Sequence, residues 1–276
     1  MSDVLNSVPS KGIGTDGLAS YHRAVTYVRP RLLAAVLTVV VMLLLKRHYS
    51  LATADQLDWI LAPTATLVSW LTSANLILER GVGYVDFANG IIVAPACAGV
   101  NFMIMAFGLG AFFGIQHMQR QRDRLAWLIL ALSASYCLAL MVNTMRIALS
   151  MALYQADIYT GWLTVTRVHR VAGVGLYFGV LWLYFLGLRK TVAYYRTHSE
   201  RRPCPRSVDL PGWMVLGWYL LIAVGLPLAH RAWQQGASSL VEHCATVVVA
   251  SLGAWLVLTH VYHLSKAVYS RVSQRE

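Results

Sequence analysis

Three residues in the middle of the chain, a cysteine, an arginine and a histidine, are of types that can together catalyse acyl transfer. Cys97 lies between Pro95 and Gly99, at a predicted helix start. The unpaired N–H groups and partial positive charge of a helix N-terminus stabilise a thiolate, which is the nucleophilic form of cysteine. A thiolate beside a base or cation can attack an acyl carbon. The alternative for Cys97 taken alone is a small buried thiol in a turn.

Arg146 is the second candidate because of its apolar surroundings. It follows an uncharged run from 125 to 145 and precedes a further apolar stretch. An arginine in such a setting is costly, so it usually has a partner or a function. Asn143, three residues earlier, shares its helical face and is predicted to orient the guanidinium. The alternative is an arginine that snorkels to the membrane surface at a helix end.

His169 is the third candidate, and it is flanked by Arg167 and Arg170. Imidazole gains and loses protons near neutral pH, and cationic neighbours favour its neutral form. A single interfacial histidine usually has no special role. A cysteine, an arginine and a histidine on one side of a membrane are together a stronger indication of catalysis than any one of them.

The elements that must position these residues are predicted to be membrane-spanning helices. Hydrophobic residues make up 57% of the chain and charged residues 13%, whereas about a quarter of an ordinary soluble domain is charged. Several uncharged runs reach the roughly 20 residues that a helix needs to cross about 30 Å of hydrocarbon. The sequence therefore predicts an all-α polytopic transmembrane bundle of six to eight spans. The predicted spans cover roughly 26–45, 57–78, 98–115, 125–145, 171–188, 212–229 and 240–262.

A single membrane domain with a short tail is expected. Residues 1–22 are polar and contain glycine and serine, which predicts a flexible tail, and residues 23–276 are predicted to form one polytopic domain. Its predicted catalytic core covers about 90–175. The segment 57–78 contains Pro63 and is interpreted either as a span or as a re-entrant segment. The N-terminus lies outside in the first case and inside in the second.

The net charge of +11 is concentrated in short loops and in the C-terminal tail. Residues 117–124 hold three arginines, and residues 189–206 hold five arginines and one lysine. The positive-inside bias places these loops in the cytoplasm. Counting spans between them puts Cys97, Arg146 and His169 on the outer side. No segment of the sequence alternates basic residues with aromatic residues that could stack on bases, so nucleic acid is not an expected partner.

Three short blocks resemble the exosortase/archaeosortase family. They are P-A-C-A-G-V-N-F at 95–102, N-T-M-R-I-A at 143–148 and H-R-V-A-G at 169–173. Their order, their depth in the membrane and the spacing between them match that family, and the resemblance covers roughly 55–190. Family members commonly have serine after the cysteine, where this chain has Ala98. That difference leaves the nucleophile intact and the subgroup open.

The resemblance implies a multi-pass cysteine protease/transpeptidase in the cytoplasmic membrane, without a cofactor or metal. Its expected partners are membrane lipid and exported proteins that end in a short motif, a transmembrane helix and a basic cluster. By the resemblance, Cys97 forms a thioester with the substrate, His169 is the general acid/base, and Arg146 faces the oxyanion or positions the scissile carbonyl. The supporting residues are predicted to be Asn143, Asn101, Gly99 and Gly173.

A non-catalytic membrane protein is the alternative of a different class. A transporter or assembly factor could bind an anionic solute with Arg146 and His169, although the internal symmetry common in transporters is not found. A serine hydrolase is disfavoured by the lack of G-x-S-x-G, and a zinc protease by the lack of H-E-x-x-H. Four histidines near the last two predicted spans indicate a metal only weakly, since no carboxylate-rich shell accompanies them. They are His230, His243, His260 and His263.

Overall fold

A computed structural model describes residues 15–118, 120–156, 159–161, 163–198, 211–225, 228 and 237–273. Seven α helices lie within these residues. They are α1 (Thr15–Leu51), α2 (Asp58–Thr72), α3 (Val100–His117), α4 (Gln121–Gln155), α5 (Val165–His198), α6 (Trp213–Leu220) and α7 (Ala237–Ser273). Two short 3₁₀ turns precede α2 and α3, at Asp55–Leu57 and Pro95–Cys97, and α6 continues into a π-helical turn at Leu221–Gly225.

Five helical segments of the described chain are long and apolar enough to cross a membrane, which confirms the predicted all-α polytopic fold. They are Arg31–Leu51, Pro95–His117, Gln121–Gln155, Val165–Tyr194 and Val241–Leu264. Two of the predicted spans are shorter helices: α2 has 15 residues, and the apolar segment Trp213–Gly225 is also below the length of a full span.

Several helices extend beyond the predicted spans. The tail predicted over 1–22 is helical from Thr15, and residues 1–14 lie outside the described part of the chain. The connection 147–170, between the predicted spans 125–145 and 171–188, is mostly helix, since α4 runs to Gln155 and α5 starts at Val165. Alanine, leucine and methionine dominate the start of that connection, and they are strong helix formers. Arg146 and His169 therefore lie on helices.

The centre of the bundle is α3. In its most apolar stretch 78% of the residues are buried, compared with 11% in that of α1. Gly110 and Gly114 of α3 are four residues apart, a spacing of small residues that allows close helix approach. In the structure they admit aromatic rings: Trp127 Nε1 donates to Gly110 O at 2.9 Å, and the same indole fills the space where a Cβ of Gly114 would lie. Trp218 Nε1 of α6 donates to Met105 O at 2.9 Å. Indoles from α4 and α6 thus fix α3 at the core.

A small antiparallel sheet between α2 and α3 was not predicted. Its strands β1 (Ile77–Glu79), β2 (Gly83–Asp86) and β3 (Ile91–Val93) pair in the order β1-β2-β3. The turn between β2 and β3 contains Asn89-Gly90, and Gly90 has φ +64°. An Asn-Gly pair between short apolar runs is a strong hairpin signal. The sheet matters for the site because β3 leads directly into the turn that carries Cys97.

The sheet is tied to both ends of α2 through β2. Near the start of the helix, the Tyr84 hydroxyl donates to Asp58 Oδ1 at 2.8 Å. Burial and this hydrogen bond raise the pKa of Tyr84 to about 12. Just beyond the helix end, the Asn75 N–H donates to Asp86 Oδ2 at 3.0 Å. Residues 52–94 therefore form one connected cap.

The chain enters the cap from α1 and returns from it to α3 at the same end of the bundle. Lys46 Nζ, near the end of α1, donates to Asn101 Oδ1, in the first turn of α3, at 2.9 Å. Further along, the Met42 sulfur lies beside Gly108, so α1 and α3 pack antiparallel. The chain thus makes no net crossing between α1 and α3, which matches the re-entrant alternative for 57–78. The start of α1 lies at the same end as the connection between α3 and α4.

Asp86 offers a pH-dependent test of the cap. Its carboxylate, 1% exposed, accepts from Asn89 Nδ2 at 2.7 Å and from the N–H groups of Asn75, Ala88 and Asn89. The Asn89 side chain is the main cause of a pKa below the ordinary value for Asp86, and the backbone N–H groups add to it. A depressed folded-state pKa stabilises the protein above the ordinary pKa of about 3.9, and this stabilisation is lost as pH falls through the folded-state value.

We therefore expect Asp86→Asn to lower the thermal unfolding midpoint at neutral pH in detergent, because asparagine lacks the charge that these donors stabilise. The difference from the parent protein should begin to shrink below about pH 4, where the carboxylate of the unfolded chain takes up a proton, and should be lost as pH falls through the lower folded-state pKa. The exposed Glu79→Gln is the control and should change the midpoint little. A difference that is equal at neutral and acid pH would contradict a role for the Asp86 charge.

Candidate active site

Cys97 lies at the end of the Pro95–Cys97 turn, three residues before α3 begins at Val100. Its N–H donates to Ala94 O at 2.7 Å, and the residue is half-buried. The predicted position at a helix start is therefore displaced by a short turn. Because the bridging Gly99 has φ +72°, the chain can turn sharply between the two helical segments.

Asn143 joins this turn to two helices. It is 0% exposed, and its Nδ2 donates to the carbonyl oxygen of Cys97. Its Oδ1 accepts from the Tyr177 hydroxyl of α5 at 3.1 Å. Gly99 permits this arrangement, since a Cβ there would lie 3.1 Å from Asn143 Cβ and Cγ. Asn143 thus positions the backbone of Cys97, whereas the sequence predicted that it orients Arg146.

Arg146 is held by packing, and one of its hydrogen-bond donors has no partner among the described residues. Its guanidinium carbon lies 5.5 Å from the centre of the Tyr177 ring, which is within cation–π range. Its Cδ borders Gly173, where an added Cβ would lie 3.5 Å away. The Nε of Arg146 is buried and has no hydrogen-bond partner among the described residues. A guanidinium placed in this way can donate to an oxygen of a bound molecule.

His169 is oriented by Ser150, one helical turn beyond Arg146 on α4. The Ser150 hydroxyl donates to Arg146 O at 2.8 Å and lies 2.7 Å from His169 Nδ1. A hydroxyl has a single proton, so once it is given to the carbonyl, Ser150 must accept from the ring. Nδ1 therefore carries the proton of neutral His169, and Nε2 has the lone pair. This tautomer suits a general base that acts through Nε2.

The end of α1 supplies a further side to the site. Lys46 holds the predicted supporting residue Asn101, and its ammonium lies 5.4 Å from the centre of the Tyr49 ring. Tyr49 interacts electrostatically with both Cys97 and Arg146. A cation and a phenol from the first span thus border the region of Cys97 and Arg146.

Four polar residues of the site were missed from sequence: Lys46, Tyr49, Ser150 and Tyr177. For two of them a signal existed. Ser150 follows Arg146 by four residues, and Tyr177 follows Gly173 by the same spacing, which places each on the helical face of its predecessor. No sequence signal shows that α1 packs beside α3 at this end.

The arginines that flank His169 are paired with α7. Arg167 Nε lies 3.2 Å from Glu242 Oε1, and Arg170 lies 4.0 Å from the same oxygen. The ion pairs are half-exposed, so their contribution to stability is small. They nevertheless show that α7 contacts the His169 end of α5.

The family model described as transmembrane exosortase matches residues 25–187, more than half of the 276 residues. The chain belongs to the transmembrane exosortase family. The matched part of this exosortase runs from α1 through most of α5 and contains Cys97, Arg146 and His169. Searches of curated proteins and of solved structures each gave no match.

No group of three or more histidine, cysteine, aspartate or glutamate side chains among the described residues of this exosortase could share a metal ion. Of the histidines considered for a metal, His230 lies outside the described residues. The expected lack of a cofactor stays a prediction.

The close approach of Gly99 and Asn143 generates a test of the site's construction. In Gly99→Ala, a left-handed backbone conformation costs an L-residue about 1–2 kcal/mol, and the new Cβ pushes on Asn143. We expect a lower thermal unfolding midpoint and a changed rate of Cys97 alkylation by a maleimide. Gly175→Ala is the matched control, since its Cβ would meet nothing within 4 Å. Equal behaviour of the two variants would contradict this account of Gly99.

Proposed function

We propose that this exosortase is a cysteine transpeptidase that cleaves the C-terminal sorting signals of exported proteins at the outer face of the cytoplasmic membrane. The observation that carries the proposal is the connected set of contacts between Cys97, Arg146 and His169. Asn143 and Tyr177 join the nucleophile's turn to the guanidinium, and Ser150 joins the arginine backbone to the imidazole.

In the first half-reaction, the Cys97 thiolate attacks the carbonyl carbon of the scissile peptide bond. The carbonyl oxygen becomes an oxyanion, and the guanidinium of Arg146 stabilises its charge. The C–N bond then breaks, and the leaving amine takes a proton from Nε2 of protonated His169. The products are a thioester on Cys97 and the released C-terminal segment.

In the second half-reaction, an amine or water attacks the thioester carbon. Neutral His169 takes the proton of the attacking group at Nε2, and the C–S bond breaks to release the Cys97 thiolate. Ser150 supports both halves because it fixes the tautomer. Since Arg146 faces the oxyanion in both halves, its loss should slow both.

The proposed orientation is supported by the charge of the loops and the arrangement of the helices. Residues 117–124, which include the connection between α3 and α4, and the segment that follows α5 are rich in arginine, which favours the cytoplasm. The site lies at the opposite end of α3, where α1 ends. The expected substrate has a transmembrane helix that is followed by a basic cluster in the cytoplasm. The residues that precede this helix then lie at the outer membrane surface, at the same depth as the site. Labelling of Cys97 in intact cells by a membrane-impermeant maleimide tests its side.

The nucleophile assignment is tested with Cys97→Ala and Cys97→Ser. Both should abolish processing while the protein still accumulates in the membrane, because alanine has no nucleophile and the serine hydroxyl has a far higher pKa than a thiol. The measurement is an immunoblot of an exported protein that carries a sorting signal of the expected type. Cys137→Ser, at an exposed cysteine of α4, is the control and should process normally. Processing at the parental rate by either Cys97 variant would refute the assignment.

The role of Arg146 is tested with Arg146→Lys, which keeps the charge and loses the planar fork. One donor to an oxyanion is typically worth about 10²–10³ in rate, so we expect unprocessed precursor to persist on the same immunoblot at equal enzyme level. Arg120→Lys, at the exposed start of the same helix, should process normally. An arginine that only snorkels or binds an anion by charge would tolerate lysine. Parental processing by Arg146→Lys would therefore point to such a role.

A further inference from the structure

One face of α1 is apolar along the span and turns away from the catalytic side chains. Leu33, Leu37, Val40 and Leu44 follow one another at helical spacing, and each is at least 40% exposed. Residues at these intervals share one stripe of a helix. On the opposite face, Lys46 and its neighbours contact α3. The stripe is therefore a surface that lipid chains cover in a membrane.

The stripe ends in a cleft with two basic residues. The cleft measures about 560 Å³ and is lined by Leu44, Arg47, His48, Leu51, Ala52 and Gln56. Arg47 and His48 are both exposed, and neither pairs with a carboxylate among the described residues. The cleft thus combines an apolar entrance with unpaired hydrogen-bond donors that favour an anion.

We propose that this cleft binds the phosphodiester headgroup of an anionic phospholipid, with an acyl chain along the stripe. A guanidinium binds phosphate oxygens through two parallel hydrogen bonds, and His48 adds a further donor. The depth fits, because Lys46 of the same helical turn is hydrogen-bonded to the start of α3, at the end of the spans where headgroups lie. A lipid seated here holds the end of α1 whose other face borders Cys97.

The simpler alternative is that Arg47 and His48 only snorkel and stabilise the C-terminal end of a helix. Such residues attract anionic lipid weakly and without a defined stoichiometry. A built site instead retains one lipid molecule and distinguishes headgroups. The two alternatives therefore differ in stoichiometry and in selectivity.

The experiment measures the lipid retained by purified full-length protein, after incubation with vesicles of phosphatidylglycerol or of phosphatidylcholine, by native mass spectrometry. The Cys97→Ala protein serves as the parent, so that the outcome does not depend on any transpeptidase activity. We expect the parent protein to retain one phosphatidylglycerol molecule. The affinity for this lipid should be at least about tenfold lower in Arg47→Gln/His48→Gln, because the variant loses charge-assisted hydrogen bonds to the phosphate. Arg120→Gln, with the same charge change at the other end of the bundle, should bind like the parent.

Three results would overturn the proposal: equal retention by the double variant, no preference for phosphatidylglycerol over phosphatidylcholine, or displacement of the lipid by an equal concentration of inorganic phosphate. The last would identify a soluble phosphate as the ligand. Thermal unfolding midpoints show whether the variants remain folded. If the double variant does not accumulate, the single variant Arg47→Gln is compared with the parent in its place. Unchanged lipid retention in Arg47→Gln would then overturn the proposal.

Discussion

The structure depends on one turn, at Pro95–Gly99, that interrupts the regular α-helical backbone at the level of the membrane spans. The hydrogen-bonding groups of this turn need partners. Within hydrocarbon, irregular backbone is tolerated only where protein groups replace the missing hydrogen bonds. The turn that carries Cys97 meets this condition through Asn143, whose buried amide donates to the Cys97 carbonyl. The same amide accepts from Tyr177 of α5. One side chain thus joins the Cys97 turn to α4 and α5, and Gly99 leaves the space for it.

The contacts that hold this turn also continue to the other side chains of the proposed mechanism. Tyr177 holds Asn143 through its hydroxyl and lies against the Arg146 guanidinium through its ring. Ser150 uses its one proton on the Arg146 carbonyl and so accepts from His169. Among the described residues, these contacts leave the Nε donor of Arg146 and the Nε2 lone pair of His169 without a partner. The helices therefore orient these side chains without occupying the atoms that a substrate needs.

The first span contributes to two environments because of helical periodicity. Lys46 and Tyr49 lie on the face towards α3 and the candidate site, whereas Arg47 and His48 lie on the face that lines the cleft. The cap of residues 52–94 then returns the chain to the level that it left. This return places β3 immediately before Cys97, and the buried Asp86 helps to hold the cap together through its four hydrogen bonds.

The sequence by itself determined the membrane-spanning helical class, since long uncharged runs have few stable alternatives in lipid. It also singled out Cys97, Arg146 and His169, because their residue types carry recognisable chemistry and their blocks resemble those of a family. The tertiary structure decided the rest. Helical spacing places Ser150 on the face of Arg146, but only packing shows that this face meets His169. Likewise, the role of Lys46 depends on α1 packing against α3, and that choice of neighbour is a long-range property that local sequence patterns do not contain.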